Sequence, residues 1–190
     1  MAKAVLISIR PEWVEKILAG EKTLEVRKTR PNMGTPFKCY IYCTNSGVAM
    51  GMWGKHGKVV GEFFCDKITW LTHVGFSGLL GIRLSAMKNG HTIDDSFDFS
   101  KSCLTTPQIE KYLGGKDGYA WHISDLKIYD QPKALNEFWL PPELYCEKER
   151  CGGCPYDQVA DVNGEYSIDC EWRRPLRRPP QSWCYVEDLA

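Results

Sequence analysis

The 190-residue sequence has no apolar run approaching the ~18 residues that a membrane-spanning helix needs, which excludes a helical membrane protein. Its opening, Met1-Ala-Lys-Ala-Val-Leu-Ile-Ser-Ile-Arg10, holds few consecutive apolar positions and no small-residue cleavage pattern. It is expected to be a first strand rather than a signal peptide, and the chain is expected to be cytoplasmic. Net charge is also missing: 24 Lys and Arg balance 24 Asp and Glu, so overall charge selects no class of partner. Histidines number only four, and none are paired at ligand spacing. Nucleophile motifs, phosphate-binding glycine loops and internal repeats are absent as well.

Cysteine is abundant instead, at nine residues. In a reducing compartment an odd number of thiols points to core residues and metal ligands rather than structural disulfides. With 43% hydrophobic residues and seven tryptophans, the chain can bury one core, and its length fits one domain with an appendage. Charge is unevenly placed. Residues 1–38 carry eight basic and four acidic side chains, whereas residues 137–171 carry nine acidic and two basic. A polyanion would meet the N-terminal face, although solvated surface charge alone produces such asymmetry too.

Residues 5–9 are an apolar run suited to a buried strand. Pro11 opens a helix carrying Trp13, Ile17 and Leu18 at helical spacing, and Gly20 ends it. Strand alternation follows at once, with Leu24 and Val26 on one face and Thr23, Glu25 and Arg27 on the other. Residues 37–44 alternate similarly, residues 59–64 read as a strand running on toward Leu71, and residues 119–129 as another. Residues 47–57 form a glycine-rich loop containing Trp53, on which a base could stack, and residues 91–101 a polar loop. Thr106-Pro107 caps a short helix ending before Gly114. Beyond Pro132 the apolar period is lost until residues 182–186 alternate as a closing strand. Strands dominate and the helices are short, which predicts a small curled sheet or barrel.

Gly20-Glu-Lys-Thr-Leu-Glu-Val-Arg27 gathers Lys22, Glu25 and Arg27 at one mouth of the sheet. A lysine and an arginine there can hold phosphate or a base carbonyl, and a glutamate can accept from an exocyclic amine or move a proton. A surface ion pair between Glu25 and Arg27 is the plainer reading. Residues 8–27 resemble the signature of the ASCH domain, whose Gly-x-Lys-x-x-Glu-x-Arg pattern is met by Gly20, Lys22, Glu25 and Arg27. Val59-Val-Gly-Glu-Phe63, Tyr119-Ala-Trp-His-Ile123 and Arg178-Pro-Pro-Gln-Ser-Trp-Cys-Tyr-Val186 resemble pieces of prophage-type members. The resemblance implies an α+β, PUA-like small β-barrel with short flanking helices, and an RNA-binding or RNA-processing role with the Lys-Glu-Arg cluster lining a cleft. One branch of the family hydrolyses acetylcytidine with a lysine, a threonine and a glutamate. Lys22 matches the lysine, but Glu25 stands at the threonine position, and only Asp95 and Asp98 lie near the distal acid. Some members are held to cut RNA with a metal's help, and no matching constellation stands out in this sequence.

Cys146, Cys151 and Cys154, followed by Cys170, form a metal-knuckle pattern in which Cys151-Gly-Gly-Cys154 brings two thiolates together on a glycine turn. Zinc is the expected metal, an iron–sulfur cluster is the alternative, and Cys184 competes for the fourth position. Arg173, Arg174, Arg177 and Arg178 either neutralise the acidic knuckle or grip phosphate.

The resulting expectation is a barrel over residues 1–133, a cysteine- and arginine-rich insertion over 134–180 and a closing strand and tail over 181–190. RNA or a nucleotide is bound by Lys22, Glu25, Arg27 and Trp53. The alternatives are a hydrolase of a modified nucleoside or of RNA, with Lys22 and Glu25 catalytic, and a phage-encoded interaction module meeting a protein through the knuckle.

Overall fold

The computed structural model describes residues 3–46, 54–75, 82–92, 97–141 and 174–189. Among these residues, ten strands form two five-stranded sheets. The first contains β1 (Lys3–Ile9), β3 (Phe37–Cys43), β4 (Lys58–Cys65), β9 (Ser124–Lys133) and β10 (Trp183–Glu187), in the order β10-β1-β3-β4-β9. The second contains β2 (Leu24–Arg27), β5 (Ile68–Gly75), β6 (Ile82–Lys88), β7 (His91–Thr92) and β8 (Gly118–His122), in the order β2-β8-β5-β6-β7. Helix α1 (Pro11–Leu18) connects β1 to β2, and α2 (Thr106–Leu113) precedes β8. Among the described residues the two ladders do not close into the expected barrel; they stack as separate layers of a mixed α+β fold.

The layering follows from strand alternation. Val5, Ile7 and Ile9 of β1 and Phe37, Cys39, Ile41 and Cys43 of β3 turn toward α1 and toward Trp121 of β8, forming the central core. Their alternates Ala4, Leu6, Tyr40 and Tyr42 pack on the outer side against Phe138, Leu176 and Val186. Both faces of β1 are therefore covered, which is why it reads as a nearly continuous apolar run interrupted only at Ser8. The outer face of the second sheet is closed by α2, through Ile109 and Leu113. Thr105, one residue before the expected cap, is the N-cap of α2 and forms a capping box with Gln108.

Two apolar stretches that read as single strands are each two. The 59–71 stretch breaks after Cys65 and the 119–129 stretch at Ile123, because in both the chain leaves one sheet for the other. The corners are joined by the His122 N–H donating to the Lys67 carbonyl at 2.9 Å and by a 2.6 Å contact between His122 Nδ1 and Asp66 Oδ1. Residues 182–186 were expected only as a closing strand; the strand there, β10, pairs antiparallel with β1.

The two stems of the anticipated insertion meet across Leu140 and Arg174 and across Phe138 and Leu176. Cys146, Cys151, Cys154 and Cys170 lie outside the described residues, as do Trp53, Asp95 and Arg173.

Candidate functional site

Gly20 leaves α1 at φ +74°, a left-handed conformation that costs glycine little, and the chain doubles back beneath the helix. The backbone N–H groups of Glu21 and Lys22 both donate to the Lys16 carbonyl, which fixes Lys22 at the negative end of the helix. Lys22 Nζ donates to the Leu24 carbonyl at 2.8 Å and to the Ser102 carbonyl at 2.7 Å, and lies 3.2 Å from Glu25 Oε2. An ammonium group has three donors. Two are given to carbonyls, and the Glu25 carboxylate is an ion-pair contact without a hydrogen bond.

Glu25 Oε1 faces Arg27 Nε at 3.0 Å, off the N–H axis, so that Nε forms no hydrogen bond. Arg27 Nη2 donates to the Ser8 carbonyl on β1 at 2.6 Å, and Nη1 reaches Ser182 Oγ at 3.3 Å. Arg27 thus fastens edge strand β2 to the opposite sheet. The expected register holds, since Leu24 and Val26 pack beneath α2. The expected accessibility does not: Lys22 is 2% exposed, and Glu25 and Arg27 are 7% exposed each. The triad is the floor of a cavity of about 660 Å³ rather than an open face. Trp13, Arg10, Gln108, Tyr112 and residues 179–182 are among the groups around it.

Two cations against one carboxylate leave the floor positive, and Arg10 at the wall is paired with Glu12 at 3.4 Å. Glu25 keeps lone pairs free to accept from a base N–H, and the remaining Arg27 donors can meet a carbonyl or phosphate oxygen. Trp13 and Tyr112 supply rings, with Lys22 Nζ 5.7 Å from the centre of the first and Lys28 Nζ 5.2 Å from the centre of the second. Burial pushes the Tyr112 phenol up, against the pull of the nearby Arg27 guanidinium. One carboxylate is a poor metal-ligand set, and among the described residues no three His, Cys, Asp or Glu side chains are grouped to hold an ion.

Two solved structures of similar fold are the crystal structure of ASCH from Zymomonas mobilis and that of a serine-to-alanine variant of the same protein. The first aligns with a TM-score of 0.52 at 16% identity, covering 97% of this chain and 87% of that one. The second aligns at 0.50 and 16%, covering 97% and 88%. The fold is that of the ASCH proteins. No protein-family model matches the sequence, and no curated protein matches it. In this ASCH fold the Gly20-Lys22-Glu25-Arg27 pattern occupies the junction of α1 with β2, between the two sheets.

Other sequence candidates take structural places. Asp98 caps a 3-10 turn (Phe99–Ser102) by accepting from the Ser100 N–H at 3.0 Å, outside the cleft lining. His122 is half-exposed at the sheet corner with Asp66, and Cys184 packs beside the outer core as a thiol. Arg174, Arg177 and Arg178 are exposed. The sequence reading missed Ser8, Arg10, Tyr112 and Ser182 in the cleft. Ser182 belongs to a segment already singled out by resemblance, but Tyr112 flanks the Ile109–Leu113 stripe of α2 with nothing local to place it beside β2.

Proposed function

We propose that this ASCH-fold protein binds a nucleotide or single-stranded RNA in the cleft floored by Lys22, Glu25 and Arg27. The observation that carries this reading is the enclosure of Lys22 Nζ by two hydrogen-bonded carbonyls and a carboxylate at ion-pair distance. A lysine acting as base or nucleophile needs a free lone pair, whereas one held by two carbonyls beside a carboxylate counter-charge is favoured in its protonated form and supplies fixed positive charge. Glu25 then reads a base edge and Arg27 a carbonyl or phosphate, between the Trp13 and Tyr112 rings. The protein acts in the cytoplasm. A zinc ion on Cys146, Cys151, Cys154 and Cys170 staples the segment between the two stems, which has little apolar material for a core of its own.

The test is titration of adenosine and cytidine monophosphates, with acetylcytidine incubated in parallel. Arg27→Ala and the solvent-facing Arg10→Ala are each expected to lower nucleotide affinity about tenfold, the cost of one charged hydrogen bond. Turnover of acetylcytidine by the wild type, abolished in Lys22→Ala, would replace binding with hydrolysis as the function.

A further inference from the structure

On the face of the second sheet that carries Arg27, a row of side chains runs beyond the cleft lining. Arg27 of β2 stands opposite Tyr119 of β8, and Tyr119 stands opposite Trp70 of β5. Cross-strand partners share a face, and neighbouring strands lie about 4.8 Å apart. The three side chains therefore run in line across the sheet, with Trp70 about 10 Å from the start of the row. Exposure rises along it. Arg27 is 7% exposed, Tyr119 is half-buried, and Trp70 is 41% exposed.

Trp70 is held in place despite that exposure. Its indole N–H donates to Asp117 Oδ2 at 3.0 Å, and Thr72 Oγ donates to Asp117 Oδ1 at 2.6 Å. The bond fixes the edge of the indole and leaves its π-face uncommitted. Cations accompany the aromatic rings, for Lys28 and Arg30 directly follow the site arginine and both are exposed. Lys28 lies against the ring of Tyr112 in the cleft wall, and the Arg30 guanidinium lies 5.7 Å from the centre of Tyr119 in the row.

We infer that Tyr119 and Trp70 form a second base-stacking site continuous with the cleft, so that the ligand is a single-stranded oligonucleotide rather than a lone nucleotide. This rests on the nucleotide-binding reading of the cleft and extends it. An exposed ring and a half-buried one in line with a buried cation, flanked by exposed cations, supply the two elements that single-strand recognition combines: a surface for bases and charge for phosphates. Asp117 repels phosphate from the indole edge, which directs the strand's backbone to the Lys28 and Arg30 side.

The probe is fluorescein-labelled hexaadenylate, read by fluorescence anisotropy, with adenosine monophosphate as competitor. Wild-type protein is expected to bind the hexamer at least tenfold more tightly than the monophosphate. Trp70→Ala is expected to weaken the hexamer about tenfold and erase that advantage, whereas Trp70→Phe, which keeps a ring, restores part of it. Arg30→Ala is expected to weaken the hexamer and flatten its salt dependence. Equal wild-type affinity for both probes overturns the inference, as does a length advantage that survives Trp70→Ala and Arg30→Ala. Arg10→Ala separates the two readings: if it leaves monophosphate affinity intact while Trp70→Ala weakens the hexamer, the cleft assignment fails and the stacking row stands. Failure of wild type to bind either probe removes both.

Discussion

Arg27 donates from its two terminal nitrogens to Ser8 and Ser182 and turns its third toward Glu25, so one side chain both joins two sheets and balances a buried carboxylate. Removing a partner from such a group leaves charge buried without compensation, a loss of about 3–5 kcal/mol. Glu25→Gln is therefore expected to lower the urea midpoint strongly, since Lys22 and Arg27 then face one another with no counter-charge. A second residue-scale effect belongs to Asp66. Burial acts to raise its carboxyl, but the hydrogen bond and charge of His122 outweigh burial and hold it below the ordinary 3.8. A lowered carboxylate stabilises the fold above its unfolded value, and that contribution is lost as pH falls through the folded one. The stability gap between wild type and Asp66→Asn is expected to narrow below about pH 4, and to stay under about 1 kcal/mol because the pair is half-exposed. The grouping of Lys22, Glu25 and Arg27 was legible in the sequence because a glycine-ended helix and a two-residue period are local. Their burial was not legible, because it is imposed by Ser8, Ser102 and Ser182, which are scattered along the chain.

Among the elements, β4 shows how a strand is fitted to its neighbour. At Gly61 an added Cβ would lie 2.5 Å from the Lys127 carbonyl oxygen of β9, a backbone atom with little freedom to move. Gly61→Ala is expected to cost about 1–3 kcal/mol, as overpacking does, and chemical denaturation will measure it. Gly20→Ala meets open space but must hold φ +74°, a strain of about 1 kcal/mol. Its larger effect is expected on nucleotide affinity, because the turn at Gly20 sets the height of Lys22. Both helices were visible from their punctuation, Pro11 and Gly20 for α1 and Pro107 and Gly114 for α2. The sheet changes after Cys65 and at Ile123 were not, since apolar alternation records that a residue is covered and not which sheet covers it. β6 escaped notice for a related reason, as it pairs with β5 and β7 through contacts that its own short pattern does not announce.

Across the molecule, Cys39, Cys43 and Cys65 are buried thiols and Cys184 is partly buried. Burial pushes Cys43 and Cys184 to about 11 and Cys65 to about 12, so these core thiols resist alkylation at neutral pH. Protein purified without chelator is expected to carry close to one zinc per chain, and its removal to expose four further reactive thiols. Metal analysis with a thiol titration checks this: no stoichiometric metal rules zinc out, and a visible absorption band identifies a cluster. Retention of metal by Cys170→Ser with loss in Cys184→Ser would move the fourth ligand. The order of strands across the first sheet has a consequence in time as well as space. β1 leaves the ribosome long before one of its two neighbours, β10, and before the cleft wall at residues 179–182. At about 5–20 residues per second, β1 waits roughly 10–35 s with an open edge. The open edge of β1 is thus exposed to chaperone capture or mispairing until β10 emerges, and the wall of the cleft cannot close before residues 179–182 have followed.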